Sequence, residues 1–263
     1  MWLVVLTLIF VPVERLVALH PRKFLSRALF QDLSYYFISS LVPAMLMSFP
    51  LALAATGGHA LVPWRVQVAV AAWPVWLRVL AGVAIGELGF YWGHRLTHEI
   101  PFLWRFHSIH HSPGRLYFLL SARAHPFDNV FTRLCGLVPI YVLGVASPLT
   151  PQGGLVAALI VLFMTVWGFF IHSNMRIRLG PVEWLFATPA FHHWHHTRDD
   201  HKDHNYAANL PVMDWLFGTF YLPNKWPESY GTDTPVDASL IGQLLDPITA
   251  RTTESVQRTT TTN

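Results

Sequence analysis

Five stretches of this chain are long and apolar enough to bridge, or nearly bridge, the hydrocarbon core of a bilayer, which takes about 20 helical residues. They run from Trp2 to Leu19, from about Ser34 to Ala55, from about Pro74 to Trp92, from about Val130 to Ala146 and from about Leu155 to Phe170. Between the last two, Ser147-Pro148-Leu149-Thr150-Pro151-Gln152-Gly153-Gly154 packs two Pro and two Gly into a tight connection, so they read as a helical hairpin. The charged fraction agrees: it is 13%, against about 25% in ordinary soluble domains. An all-α integral membrane helical bundle with four to five spans is therefore expected. The first stretch carries Glu14 and lacks both a basic leader and a small-residue cleavage site, so it reads as part of the fold and not as a signal peptide.

Basic residues set the expected orientation. Arg22, Lys23 and Arg27 flank the first two spans, and Arg95, Arg105, Arg115, Arg123, Arg133, Arg176, Arg178, Arg198 and Lys202 lie in or beside the later polar segments. The loop between the second and third spans has only Arg65. The polar segments and the C-terminus are thus expected in the cytoplasm. A net charge of +3 is too mild to point to nucleic acid. A single cysteine excludes a disulfide framework or a thiolate-held cluster.

Those polar segments hold the second feature. The chain has 15 histidines, and thirteen of them lie between His94 and His204. The third span ends in Glu87-Leu88-Gly89-Phe90-Tyr91-Trp92-Gly93-His94-Arg95-Leu96-Thr97-His98. Residues four apart share a helical face, so His94 and His98 can chelate one ion. In His107-Ser108-Ile109-His110-His111, His107 neighbours both His110 and His111, while that adjacent pair diverges by about 100°. Such a segment can feed two metals. The pattern repeats in His192, His195 and His196. Two lone histidines, His125 and His172, sit where spans enter the same polar zone; from spacing alone each is as well read as an interfacial residue.

Taken together, these segments resemble the fatty acid hydroxylase and sterol desaturase superfamily of membrane di-iron enzymes. The resemblance covers roughly Leu80 to Pro223. It rests on Tyr-Trp-x-His-Arg-x-x-His, Phe-His-x-x-His-His, Ala-His-Pro and His-Ser-Asn, on Thr188 through Asn205-Tyr206, and on Trp215-Leu216-Phe217-Gly218-Thr219. It implies ten metal ligands: His94, His98, His107, His110, His111, His125, His172, His192, His195 and His196. No catalytic residue beyond the ligands is singled out. Glu87 stands where many members have Asp, Asp128 where many have Glu, and His193 where Arg is common. His193 therefore reads as a non-ligand, His201 and His204 as parts of a solvated loop, and His20 and His59 as interfacial.

Ligating histidines usually hand their second N–H to a carboxylate or carbonyl. Glu87, Tyr91, His94 and His98 share one helical face, which makes Glu87 a candidate for that role; the alternative is a pair with Arg78. Asp128, Asn174 and Asn205 are further candidates. Trp92, Trp104 and Trp184 read as an interfacial aromatic belt or as walls of a substrate path.

Imidazole suits several metals, so iron follows from the resemblance and from redox need, and zinc is expected in some preparations. The resemblance implies two non-haem irons and a membrane oxygenase that hydroxylates or desaturates a C–H bond of a lipid, such as a sterol or fatty acyl chain. There is no His-Glu-x-x-His, no Gly-rich dinucleotide loop and no fused haem domain. Electrons are therefore expected from a separate reductase or electron carrier. The rival reading is a membrane haem- or metal-transfer protein that uses the His clusters as relay ligands. The expected organisation is N-terminal spans over residues 1–73, a catalytic region over 74–223 and a partly disordered tail over 224–263. The C-terminal Thr-rich end carries no retention signal, which favours a bacterial cytoplasmic membrane over the endoplasmic reticulum.

Overall fold

The computed structural model describes residues 1–21 and 27–249. Among them are ten α-helices and two isolated β-bridges but no strand. The helices are α1 (Trp2–Leu16), α2 (Arg27–Gly57), α3 (Trp64–Ala71), α4 (Val75–Glu99), α5 (Pro101–His111), α6 (Pro126–Val142), α7 (Gly153–Ile171), α8 (Pro189–His195), α9 (Val212–Phe217) and α10 (Leu240–Thr249). The polar tail beyond Thr249, and Arg22 and Lys23, lie outside the described residues.

Three helices, α2, α4 and α7, are long and apolar enough to cross a membrane. Two of the five expected spans are shorter. Helix α1 has 15 residues and stops at Leu16 because the chain then turns to pair with the segment after α7: Arg176 N–H donates to Val17 O at 2.7 Å and Ala18 bridges Met175. Helix α6 has 17 residues and begins at Pro126, four residues before the apolar stretch, because Pro is favoured in a first helical turn. It ends before Gly144, whose φ of 76° turns the chain into the hairpin.

Helix α2 exposes Leu41, Met45, Phe49 and Leu53 at four-residue steps. In water this row would be an outsized apolar patch; in a bilayer it faces lipid. Helix α1 buries the opposite kind of stripe, Leu6, Phe10 and Glu14, against Phe118, Phe169 and their neighbours. The Glu14 carboxylate accepts the backbone N–H groups of Phe118 at 2.7 Å and Asn174 at 2.9 Å, tying α1 to two loops of the polar end.

Helices α4 and α6 meet through glycine. A Cβ added at Gly89 would lie 2.1 Å from the Cys135 carbonyl oxygen, and one at Gly93 would lie 2.8 Å from the Cys135 Cβ. Small residues let helix backbones approach closely, which is how spans associate where no hydrophobic force acts between them. Val83, Ile140, Val156 and Ile160 complete this core with α7. At the end of the bundle away from the histidines, buried Arg78 of α4 secures the α6–α7 connection. Its guanidinium donates to Val145 O at 2.8 Å, Pro151 O at 2.7 Å and Thr150 Oγ1 at 3.0 Å. It therefore pairs with hairpin oxygens and not with Glu87.

Gly89→Leu should destabilise the folded protein by at least about 1–3 kcal/mol, because the added side chain meets backbone. Gly154→Ala, where a Cβ meets nothing within 4 Å, should leave stability unchanged. Thermal unfolding in detergent checks the pair; equal stability would contradict the close α4–α6 approach.

Candidate metal centre

One proline creates the corner on which the centre is built. Pro101 occupies the first position of α5, and the residue before a proline avoids helical geometry. Ile100 accordingly sits at φ −99° and ψ 113°, ending α4 after His98 and starting α5 at an angle to it. The corner turns His94 and His98 toward His107, His110 and His111. A second arm arrives from the far part of the chain. Thr188 caps α8 by accepting the Phe191 N–H, Pro189 starts the helix, and its last turns carry His192, His195 and His196. His172 is the residue that ends α7.

The structure gathers nine of the ten histidines into two groups: His94, His98, His107, His111 and His195 in one, His110, His172, His192 and His196 in the other. Within each group the ligand atoms all lie within 4.8 Å of one another. Every contributing helix presents its C-terminal end, where the macrodipole places partial negative charge and favours cations.

The ring hydrogen bonds decide which nitrogens point inward. His94 Nδ1 donates to Tyr206 O at 2.7 Å, and His195 Nδ1 donates to His204 O at 2.8 Å. His110 Nδ1 donates to Arg123 O at 2.9 Å, and His172 Nδ1 donates to Gly168 O at 2.7 Å. His107 and His98 donate to Asp128 and Asp203, each at 3.1 Å. These partners assign the proton to Nδ1 and leave Nε2 as a lone pair. His94 Nε2 then faces His107 Nε2 at 3.1 Å, and His110 Nε2 faces His172 Nε2 at 3.1 Å, with no proton between either pair. His98 Nε2 and His195 Nε2 are buried without any hydrogen-bond partner. Lone pairs converging in this way, in both groups, fit bound metal ions.

Burial, then neighbouring imidazoles, pushes His110 down to about 4 and His111, His172, His192, His195 and His196 well below the ordinary histidine value. All six are neutral near pH 7, the state a metal ligand requires.

His125 is not brought into either group. Its Nδ1 accepts the Phe127 N–H at 3.1 Å, capping α6, and its Nε2 donates to Leu244 O at 3.1 Å. His193 points away from the groups: Nε2 donates to Ser173 O and Nδ1 accepts from Tyr230 OH, each at 3.0 Å. His201 stacks on Tyr221. The His59 side chain lies outside the described residues.

Of the four residues proposed to orient ligands, Asp128 touches one, His107. Glu87 acts one step further out. Its buried carboxylate accepts the backbone N–H groups of Ala208 at 2.6 Å, Asn209 at 2.8 Å and Leu210 at 3.3 Å, and the Asn209 amide at 2.5 Å. It thereby holds the segment whose Tyr206 carbonyl accepts from His94. Asp214 holds the same segment through Tyr206 N at 2.8 Å and Ala207 N at 2.9 Å. Burial pushes the Asp214 carboxyl up to about 7, against the hydrogen bonds from Thr219, Ala207 and Tyr206 that favour its charge. Asn205 fastens Phe191 O to the Tyr221 backbone, and Asn174 holds the His20 backbone. Neither Asn touches a clustered histidine. Asp203 and the carbonyl acceptors were not foreseen: Asp203 sits in a charged loop that reads as solvated, and a carbonyl has no sequence signature. Trp92 and Trp184 are exposed, whereas Trp104 packs at a tilt against His98, with ring centroids 5.0 Å apart, and donates to Thr234 Oγ1 at 2.9 Å.

A cavity of about 340 Å³ opens on both groups, reaching His94 and His107 of one and His110, His172 and His192 of the other. It runs down between α2, α4, α6 and α7 to Met47, Leu137, Val161 and Met164. Residues 79–219 match the family profile described as fatty acid hydroxylase. The chain belongs to that family. It is 36% identical over 211 residues to the ornithine lipid hydroxylase OlsE of Rhizobium tropici, covering 78% of this chain and 60% of that protein. It is 34% identical over 166 residues to the alkylglycerol monooxygenase of Xenopus tropicalis, covering 63% of this chain and 34% of that one. A very-long-chain aldehyde decarbonylase, GL1-11 of Oryza sativa subsp. indica, is 28% identical over 198 residues, covering 70% of this chain and 65% of that one. This chain therefore spans less than two thirds of the length of each of these relatives. No solved structure matches it.

The depressed histidines make stability fall in acid. Between the ordinary histidine pKa of 6.5 and about 4, the unfolded chain takes up protons that folded His110 and its neighbours refuse. Asp214, raised to about 7, works in the opposite sense throughout this range and offsets only part of what the six imidazoles contribute. The metal-free protein should be most stable above pH 6.5 and lose stability steadily toward pH 4. Thermal unfolding of chelator-treated protein across that range checks this, and a flat profile would contradict the neutral, buried cluster.

Proposed function

We propose that the chain is a membrane-bound non-haem di-iron oxygenase that hydroxylates or desaturates a C–H bond of a lipid. The observation that carries the reading is the pair of histidine groups, lone pairs inward, at the head of a cavity whose remaining walls come largely from spanning helices. His94, His98, His107, His111 and His195 would hold one ion, and His110, His172, His192 and His196 the other. Five and four ligands leave octahedral ions with open positions, which a closed structural zinc site would not offer. When bound, iron would supply the redox chemistry that activates dioxygen, which zinc lacks.

The chain's own groups prepare that chemistry. Asp128 and the Tyr206, Arg123, Gly168 and His204 carbonyls fix the rings of His107, His94, His110, His172 and His195 and keep their Nε2 atoms free of a proton. Met47, Leu137, Val161 and Met164 offer an apolar slot that excludes water and lays an aliphatic chain beneath the histidines. Electrons would come from a separate reductase or carrier, and the basic residues around the histidines support a cytoplasmic face, in a bacterial cytoplasmic membrane. That a similar protein is an ornithine lipid hydroxylase and another an alkylglycerol monooxygenase supports a lipid substrate. His125, engaged with Phe127 and Leu244, is not needed as a ligand.

Purified protein loaded with iron should bind about two irons per chain and show no haem absorption band. His110→Ala should release most of the metal of its group and abolish product, while Asp128→Ala should weaken iron binding by about 10–100-fold. Lipid mass spectrometry of cells with and without the protein, in normal and heavy dioxygen, should show a shift of one oxygen or a loss of two hydrogens. Wild-type iron content and product in His110→Ala would overturn the assignment.

A further inference from the structure

The cavity wall contributed by α6 is a continuous helical stripe: Asp128, Asn129, Thr132, Arg133, Gly136 and Leu137. Steps of one, three, one, three and one residues keep all six on one face. The stripe changes character along its length. Asp128 touches His107, Gly136 and Leu137 are apolar, and between them stand two polar groups with no assigned partner. Arg133 is exposed and has neither a hydrogen bond nor an ion pair among the described residues. Asn129 is 7% exposed, and its Oδ1 is buried with no hydrogen-bond partner.

The buried arginines of this bundle have partners. Arg78 is held by three hairpin oxygens, and Arg123 pairs with Asp32 at 2.8 Å. Arg133 therefore lines the cavity as a donor group that the fold itself leaves unpaired. Arg133 and Asn129 lie four residues apart, hence side by side on the cavity wall. One supplies a fork of donors suited to a carboxylate or phosphate, and the other an acceptor suited to an N–H or O–H.

We propose that Arg133 and Asn129 form the polar anchor of the lipid site, binding a substrate whose carboxylate or phosphate sits next to an N–H or O–H group. This rests on the oxygenase reading and adds a substrate class to it. The anchor lies close to the metal groups: Arg133 is about 7.5 Å along α6 from Asp128. A substrate held there presents a C–H near its polar end to the histidines, while its tail descends past Leu137 and Met164. The same oxyanion chemistry could come from bulk lipid, with Arg133 reaching up to a neighbouring headgroup, so the test separates the two sources.

The probes are N-palmitoylglycine, which has a carboxylate beside an amide N–H, and its methyl ester, which lacks the charge. Binding is measured on the full chain in phosphatidylcholine nanodiscs, with and without phosphatidylglycerol. Wild type should bind the acid about tenfold more tightly than the ester in both membranes. Arg133→Gln should bring the ratio near one by weakening acid binding far more than ester binding, and Arg133→Lys should restore part of it. Should Arg133→Gln fail to fold, Asn129→Asp decides: the new carboxylate occupies Arg133 and should abolish the ratio alone. A wild-type ratio near one, or a ratio that survives Arg133→Gln or Asn129→Asp, overturns the proposal and leaves Arg133 to bulk headgroups. Iron content of the same samples reports separately on the oxygenase reading. A protein that keeps the ratio but takes up no iron overturns that reading and not the anchor.

Discussion

Each imidazole in the centre has one proton and one lone pair, and the protein has to place both. In a dry interior a stray N–H or an unpaired lone pair is expensive. Giving the proton a carbonyl or carboxylate outside the cluster settles the second question along with the first, because the remaining nitrogen can only turn inward. Most of the polar end follows from this need for outer acceptors. The Tyr206, His204 and Arg123 carbonyls belong to segments with little regular structure, and each must be held still, whereas the Gly168 carbonyl is fixed within α7. Glu87 and Asp214 hold the 206–210 segment. Buried Asp32 holds Arg123, whose own carbonyl receives His110.

The spanning helices serve the same end from below. Gly89 and Gly93 bring α4 against α6, so that Asp128, near the start of α6, comes within hydrogen-bonding reach of His107 on α5. That approach also sets the width of the cavity, because α6 lines it on one side and α4 supplies Phe90 and His94 on another. Membrane packing and metal geometry are therefore one problem, solved by the same pair of helices. The C-terminal ends of α4, α5, α7 and α8 add a field that suits cations.

The nine clustered histidines could be read from the sequence because helical spacing is local. Four-residue and three-residue steps survive folding unchanged, and the family resemblance reached His172, which spacing alone did not. His125 shows the limit of that route: its motif matches, but its ring caps α6 and reaches Leu244. The span count was blurred for a similar reason. Apolar runs end where composition changes, whereas α1 and α6 end where backbone partners and a positive-φ glycine turn the chain. Glu87 was legible as an intramembrane acid on the histidine face. Its true partners, three amides over 120 residues away, were not, because nothing in a sequence marks which loop will arrive there.

The clamp at Glu87 also fixes an order of construction. As the chain leaves the ribosome, His94 precedes the Tyr206 carbonyl that orients it by 112 residues. His107 and Asp128 can meet early, once α5 and α6 exist, but His94 has no fixed tautomer until the distal loop returns to α4. The nascent protein therefore carries a partial, loosely held set of imidazoles through most of its insertion. It gains a stiff set of inward-facing nitrogens only when its last third docks.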